Sequence, residues 1–136
     1  MLVFRGAQLL ALRRTDQQIW HVVAGRVEIG EGPAEAAIRE LQEETGLDVS
    51  TLIDLDLVQR HPPDADVLEQ YLPGITEVLV HSYAIEAPPR WEPLLNEEHD
   101  DYRWCSLGEA MALLRWPEAR AALTALAARH FEQRPR

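Results

Sequence analysis

The stretch Arg39-Glu40-Leu41-Gln42-Glu43-Glu44-Thr45-Gly46-Leu47 constrains this chain more than any other. Pro33 suits the first turn of a helix, where its missing N–H costs nothing, and Gly46 suits a left-handed stop. Between them Ala34, Ala37, Ile38, Leu41 and Thr45 fall on one face about 100° wide at helical spacing. Glu40, Glu43 and Glu44 occupy the wedge beside it. Residues three and four apart are neighbours on a helix, so Glu40 faces both of the other carboxylates. Two such charges roughly 5–6 Å apart repel by about 3 kcal/mol at an effective dielectric of about 20. A bound cation would offset that cost; a plain solvated acidic face is the alternative. Oxygen donors alone point to a hard divalent ion, magnesium or manganese rather than zinc, and such ions accompany chemistry on phosphorylated substrates.

The flanking sequence predicts a mixed α/β fold. Leu2–Phe4 and Gln8–Leu12 are short apolar runs around Gly6-Ala7, the pattern of a hairpin. A charged turn at Arg13–Asp16 leads to an extended Trp20–Val23 and then a loop punctuated by Gly25, Gly30 and Gly32. Beyond the acidic helix, Leu52–Val58, Ile75–Ile85 and Tyr102–Cys105 read as strands. Ser106-Leu-Gly-Glu109 has the form of a capping box opening a helix to about Arg115, and Pro117 opens an alanine-rich helix to about Phe131.

Charge and composition exclude several classes. A single domain of 136 residues with a formal net charge of −10 and no basic stripe is a poor match for duplex nucleic acid. It would also repel a free polyphosphate, so such a substrate must be recruited through bound cations and a few arginines. No apolar run approaches the roughly 18 residues of a membrane span, and the first residues are too short a run for a signal peptide. The lone Cys105 has no disulfide or zinc partner and reads as a core filler in a reducing cytoplasm.

With these residues in place, the chain resembles the Nudix hydrolases. Their pattern is G-x5-E-x7-R-E-U-x-E-E-x-G-U, with U a bulky aliphatic residue. Gly25, Glu31, Arg39, Glu40, Leu41, Glu43, Glu44, Gly46 and Leu47 match it in register. The resemblance implies the Nudix-type α/β/α sandwich with a mixed sheet over residues 1–136, and hydrolysis of a phosphoanhydride with magnesium or manganese as cofactor. On matching positions, Glu40 and Glu44 would be the principal metal ligands and Glu43 a ligand or ligand-orienting group. Gly25, Glu31 and Gly46 would shape the box, and Arg39 would pair with Glu31 rather than with substrate. Glu28 is a looser candidate. Glu97–Trp104 resembles the segment in which many members carry one more carboxylate, and Glu98 is the residue chosen there, as a ligand or general base. Glu43, Glu98 and Arg39 are thus the catalytic candidates. His99 is read as an ordinary loop histidine rather than a proton shuttle, and the other histidines carry no ligand spacing.

Within the family the chain is most similar to bacterial dihydroneopterin triphosphate pyrophosphatases. Leu9–Gly25, Tyr71–Thr76 and Glu98–Trp104 carry that likeness, and it implies that Arg13 contacts the substrate phosphates. Ala24 departs from a hydroxyl residue common in that group. A broad-specificity (d)NTP pyrophosphatase is the stronger rival; Pro62, 15 residues after Leu47, hints weakly at ADP-ribose pyrophosphatases. Trp20 and Tyr71 are candidates to stack a flat ring or to pack in the core. A catalytically silent nucleotide-binding module is a different class, disfavoured because every box carboxylate is kept. The expected partner is a small nucleoside or pterin polyphosphate; an edge strand or the C-terminal helix offers surface for a homodimer.

Overall fold

The computed structural model describes residues 1–62 and 77–131. Its elements are β1 (Leu2–Arg5), β2 (Gln8–Arg14), β3 (Trp20–His21), α1 (Pro33–Thr45), β4 (Ile53–His61), β5 (Val78–Glu86), β6 (His99–Cys105), α2 (Leu107–Leu113) and α3 (Pro117–Leu126). A π-helical turn over Ala127–Phe131 ends the described chain, so the last helix stops as a regular α-helix sooner than expected. β4 runs three residues past Val58, to His61. Residues 63–76, which include Tyr71 and the start expected for β5, lie outside the described residues.

β2 is the hub of a six-stranded mixed sheet. Antiparallel β6 pairs along Leu9–Arg14, while β1 pairs at Leu9 and Gln8 and β3 pairs at Leu12 and Arg13. A strand has two edges, so β1 and β3 must share the one that β6 leaves. β1 continues in parallel to β5, and β5 pairs antiparallel with β4. Because β1 begins only at the level of Ala84, the first half of β5 runs on without it and faces β3 across a gap. That gap becomes the cleft.

Strand alternation explains the layers. Leu2, Phe4, Leu9 and Ala11 point to one side, where they pack with Cys105, Ala119, Ala122, Leu123 and Leu126 under α2 and α3. Val3, Leu10, Leu12 and Val23 point to the other, against Leu41 of α1 and Leu47. A sheet covered on both faces needs an unbroken apolar run, which Leu9-Leu10-Ala11-Leu12 supplies. The result is the expected α/β/α sandwich. Ser106 and Glu109 close the expected capping box on α2. No helix among the described residues is long and apolar enough to cross a membrane.

Candidate active site

α1 presents its carboxylates in three different environments, where the sequence suggested one acidic face. Gly32 is the N-cap, Pro33 follows it, and Gly46 ends the helix at φ 80° with its N–H donating to the Gln42 carbonyl. Glu43 is half exposed. The Glu40 side chain is 13% exposed. Glu44 is 1% exposed, so the alternative of a plain solvated acidic face does not describe it: it sits at the edge of the core beside the wholly buried Thr45. The difference follows from what packs against each wedge, which helical spacing alone does not specify.

Arg39 organises the outer part of this group. Its Nε and Nη2 donate to both Glu31 oxygens at 2.9 and 3.0 Å, a fork-to-fork pair. Nη1 donates to Glu40 at 2.8 Å and Glu43 at 3.4 Å, and Nη2 also donates to the Arg26 carbonyl at 2.8 Å. Glu28 stands 3.8 Å away. The guanidinium beside Glu31 holds that carboxyl below the usual range, and Glu31 in turn raises Arg39. Gly25 lies directly under Glu40: a Cβ there would fall 2.0 Å from the Glu40 carboxyl carbon. Backbone and carboxylate approach this closely only because residue 25 has no side chain.

Glu44 has no such clamp. Its Oε2 is buried without a hydrogen-bond partner among the described residues. Burial raises its pKa to about 9, reinforced by a hydrogen bond shared with the Glu40 carboxyl and by the charges of Glu40 and Glu98, and partly offset by the Ala24 backbone amide. A carboxyl so placed calls for a cation, and donors for one are at hand. Glu44, Glu98 and His99 each offer a ligand atom, all within 4.8 Å of one another. The residues therefore fit a divalent ion. Glu40 and Glu43 are not part of that three-residue group; Glu40 joins it through Glu44, and Glu43 is turned to Arg39.

The β2–β3 turn fixes Glu98 from a distance. Thr15 N–H donates to the Glu98 carbonyl and Thr15 Oγ1 to the Glu97 carbonyl, each at 2.9 Å, while the Asn96 side chain accepts from the Glu98 N–H at 3.0 Å. His99 opens β6 with its side chain 5% exposed and Nδ1 3.8 Å from Glu44 Oε1. Burial lowers the pKa of His99, so its imidazole is neutral near pH 7.

Two adjoining cavities meet here. The smaller, about 430 Å³, is lined by Arg14, Thr15, Glu44, Glu98 and His99. The larger, about 690 Å³, occupies the gap between β5 and the chain after β3, with Gly25, Glu40, Tyr83 and Trp116 among its walls. His21, Val22 and Ala24 line both. His21 is partly buried with its Nδ1 out of contact with solvent, and this desolvation lowers its pKa to about 3; its ring meets Trp116 edge-on at 4.6 Å.

The arginine expected at the phosphates is not the one at the cavity. Arg13 donates from Nε to Asp100 at 2.7 Å and lines neither cavity; its neighbour Arg14 lines the smaller one and holds Asp16 at 2.9 Å. Trp20 is also absent from both walls; it packs against the core under the Arg103 guanidinium. Sequence reasoning passed over Thr15, His21 and Trp116, and it set His99 aside as an ordinary loop histidine. The one available signal was the position of His99 directly after the carboxylate chosen for the site.

Comparison with known proteins agrees with this geometry. The family profile described as the NUDIX domain matches residues 1–127. A Myxococcus xanthus protein named octanoyltransferase is 41% identical over 110 residues, 79% of this chain, which spans only 29% of that protein's length. Dihydroneopterin triphosphate diphosphatase of Escherichia coli is 33% identical over 118 residues, covering 83% of this chain and 78% of that one. The asymmetrical bis(5'-nucleosyl)-tetraphosphatase of Rattus norvegicus is 34% identical over 111 residues, 76% and 67% of the two chains. The solved structure of the E. coli dihydroneopterin triphosphate pyrophosphohydrolase superposes with a TM-score of 0.82 at 27% identity, covering 94% and 92%. The box, the sandwich that carries it and these matches agree, and the chain belongs to the Nudix family of hydrolases, which act on phosphorus-containing anhydrides.

Proposed function

We propose that this chain hydrolyses dihydroneopterin triphosphate, or a closely related (d)NTP, releasing pyrophosphate and leaving the monophosphate. The observation that carries the reading is the junction of the two cavities. A polar compartment at Glu44 and Glu98 opens into a larger, mostly apolar one walled by Trp116 and Tyr83, as a substrate with a charged chain and a flat ring requires. The E. coli relative's activity supports the pterin.

Glu44 and Glu98, with Glu40 behind Glu44, would hold magnesium or manganese. When bound, such an ion polarises phosphate oxygens and neutralises charge developing on them. The chain's own residues do the rest. Arg14, rather than Arg13, meets the phosphate chain and helps to overcome the repulsion of an acidic protein. Glu98 accepts the proton of the attacking water, a role for which Glu43 is poorly placed because it is tied to Arg39. Arg39 acts at one remove, fixing Glu40 and the loop that carries Glu31. The buried free thiol of Cys105 suits the cytoplasm.

The test is product analysis on a panel of dihydroneopterin triphosphate, ordinary and oxidised dNTPs, ADP-ribose and a dinucleoside tetraphosphate. Preference for the pterin with pyrophosphate release is expected. Preference for the dinucleoside would favour the activity named for the rat relative, and broad dNTP turnover would mark a general pyrophosphatase. Inertness across the panel would sink the enzyme reading and favour a binding module.

A further inference from the structure

The acidic run on α1 suggests a site of oxygen donors alone, but the fold adds a nitrogen. His99 is 7% exposed as a residue and its Nδ1 has no hydrogen-bond partner among the described residues; beside it Glu44 Oε2 is equally bare. Buried ring nitrogens and carboxylate oxygens are nearly always satisfied. His21 Nδ1 on the same cavity wall is a third exception, but His99 and Glu44 are the two that stand together with Glu98 as a group of ligand atoms, and they point to something that both would bind. His99 Nδ1 and Glu44 Oε1 are 3.8 Å apart, too far for a hydrogen bond. Two donors on opposite sides of an ion at about 2.1 Å stand roughly 4.2 Å apart, so the observed span lies within the reach of one shared ion. The backbone holds the ring there: His99 pairs with Arg14 across the sheet, and Thr15 anchors the preceding residue.

We propose that Glu44, Glu98 and His99 form a mixed carboxylate–imidazole metal site that selects manganese and similar transition ions over magnesium. The inference rests on the metal-dependent hydrolase reading. Magnesium favours all-oxygen shells and retains its waters, whereas imidazole strengthens binding along the transition series. The identity of the ion is therefore set by a residue outside the acidic helix.

The probe is Mn2+ added to the full chain after chelator treatment. Pulsed EPR of the wild type should show 14N coupling from a directly bound imidazole, and His99→Gln should abolish it. In the same variant the Mn2+ Kd should rise about tenfold or more, while the Mg2+ Kd from competition changes little. Bound Mn2+ without 14N coupling overturns the inference and leaves the hydrolase reading standing. Coupling that survives His99→Gln overturns it too, because another nitrogen is then the ligand. Equal weakening of both ions in a folded variant argues against selectivity. Failure of the wild type to bind Mn2+ at all would overturn this inference and the metal-dependent reading together.

Discussion

Gly25→Ala should disable this site while leaving the protein folded. The new Cβ would lie 2.0 Å from Glu40 Cδ and 2.1 Å from its Oε1, against 3.4 Å at the near limit of ordinary contact. The carboxyl must therefore retreat by at least about 1.4 Å. The three nearest atoms all belong to this flexible side chain, so the carboxylate gives way before the backbone does. A displaced rotamer costs about 0.5–1.5 kcal/mol. The Arg39–Glu40 hydrogen bond of 2.8 Å is lost or lengthened, as is the one shared with Glu44. Water can replace part of these, because the Glu40 side chain is 13% exposed. A net loss of about 1–3 kcal/mol follows, or roughly 4–10 °C in melting temperature. Function is less forgiving, since a 1 Å misplacement in an active site can cost about 100-fold in rate.

The assay is pyrophosphate release alongside a circular-dichroism melt, for Gly25→Ala, Glu40→Gln and the double variant. A rate near one hundredth of wild type, with a cooperative melt retained, is expected. If the defect runs through Glu40, adding Gly25→Ala to Glu40→Gln should lower the rate little further. Wild-type turnover in Gly25→Ala, or full additivity in the double variant, would falsify the claim that the bare glycine exists to admit this carboxylate.

Glu44→Gln should lower turnover by about two orders of magnitude or more, yet raise the melting temperature of chelator-treated protein at pH 8, because a neutral isostere removes a costly buried acid. A lower melting temperature would refute the burial argument. Because the folded pKa of Glu44 is raised from 4.5 to about 9, the folded state holds an extra proton across that window. The contribution is fully present below pH 4.5 and is lost as pH rises towards 9, by about 1 kcal/mol per unit. His21, lowered to about 3, and His99 act with the opposite sign, but only below their unfolded pKa of about 6.5. The Met1 amino group, lowered by burial from 8.0 to about 6, opposes Glu44 between those values. Metal-free protein should therefore lose stability chiefly from pH 8 to 9, and millimolar Mn2+ should flatten that decline; parallel curves with and without the ion would contradict it. Trp116→Ala should raise KM by about tenfold with kcat nearly kept, as loss of a ring contact does; an unchanged KM would remove Trp116 from the binding wall.

What could be read from the sequence was local. Pro33, Gly46 and the 3.6-residue spacing lie within one helix, and the apolar run at Leu9–Leu12 records a sheet buried on both faces. What could not be read depends on register or on distant contacts. Strand alternation should say which of Arg13 and Arg14 faces the cleft, but the pairing of β2 with β6 shifts register between these two residues, so the count fails where it is needed. Thr15 reaches Glu97 and Glu98 across more than 80 positions, and the environment of His99 is made by α1 and β2 rather than by its own neighbours. The glycine at position 25 was recognisable as part of a motif; its reason, the proximity of Glu40, is tertiary.

The repulsion inferred on α1 is answered in two ways by the folded chain. Arg39 reaches Glu31, Glu40 and Glu43 at once, so much of the acidic group is neutralised by the protein itself. A cluster of glutamates on a helix therefore does not by itself require a metal. Glu44 is different. No arginine pairs with it among the described residues, it is the deepest of the three, and its second oxygen is unsatisfied. Placing Arg39 on the outer carboxylates leaves the inner one available, and the arginine that keeps the helix stable in the absence of an ion does not compete with the ion for Glu44. The argument for a cation thus rests on one buried carboxylate and the two residues, Glu98 and His99, that the start of β6 brings to it.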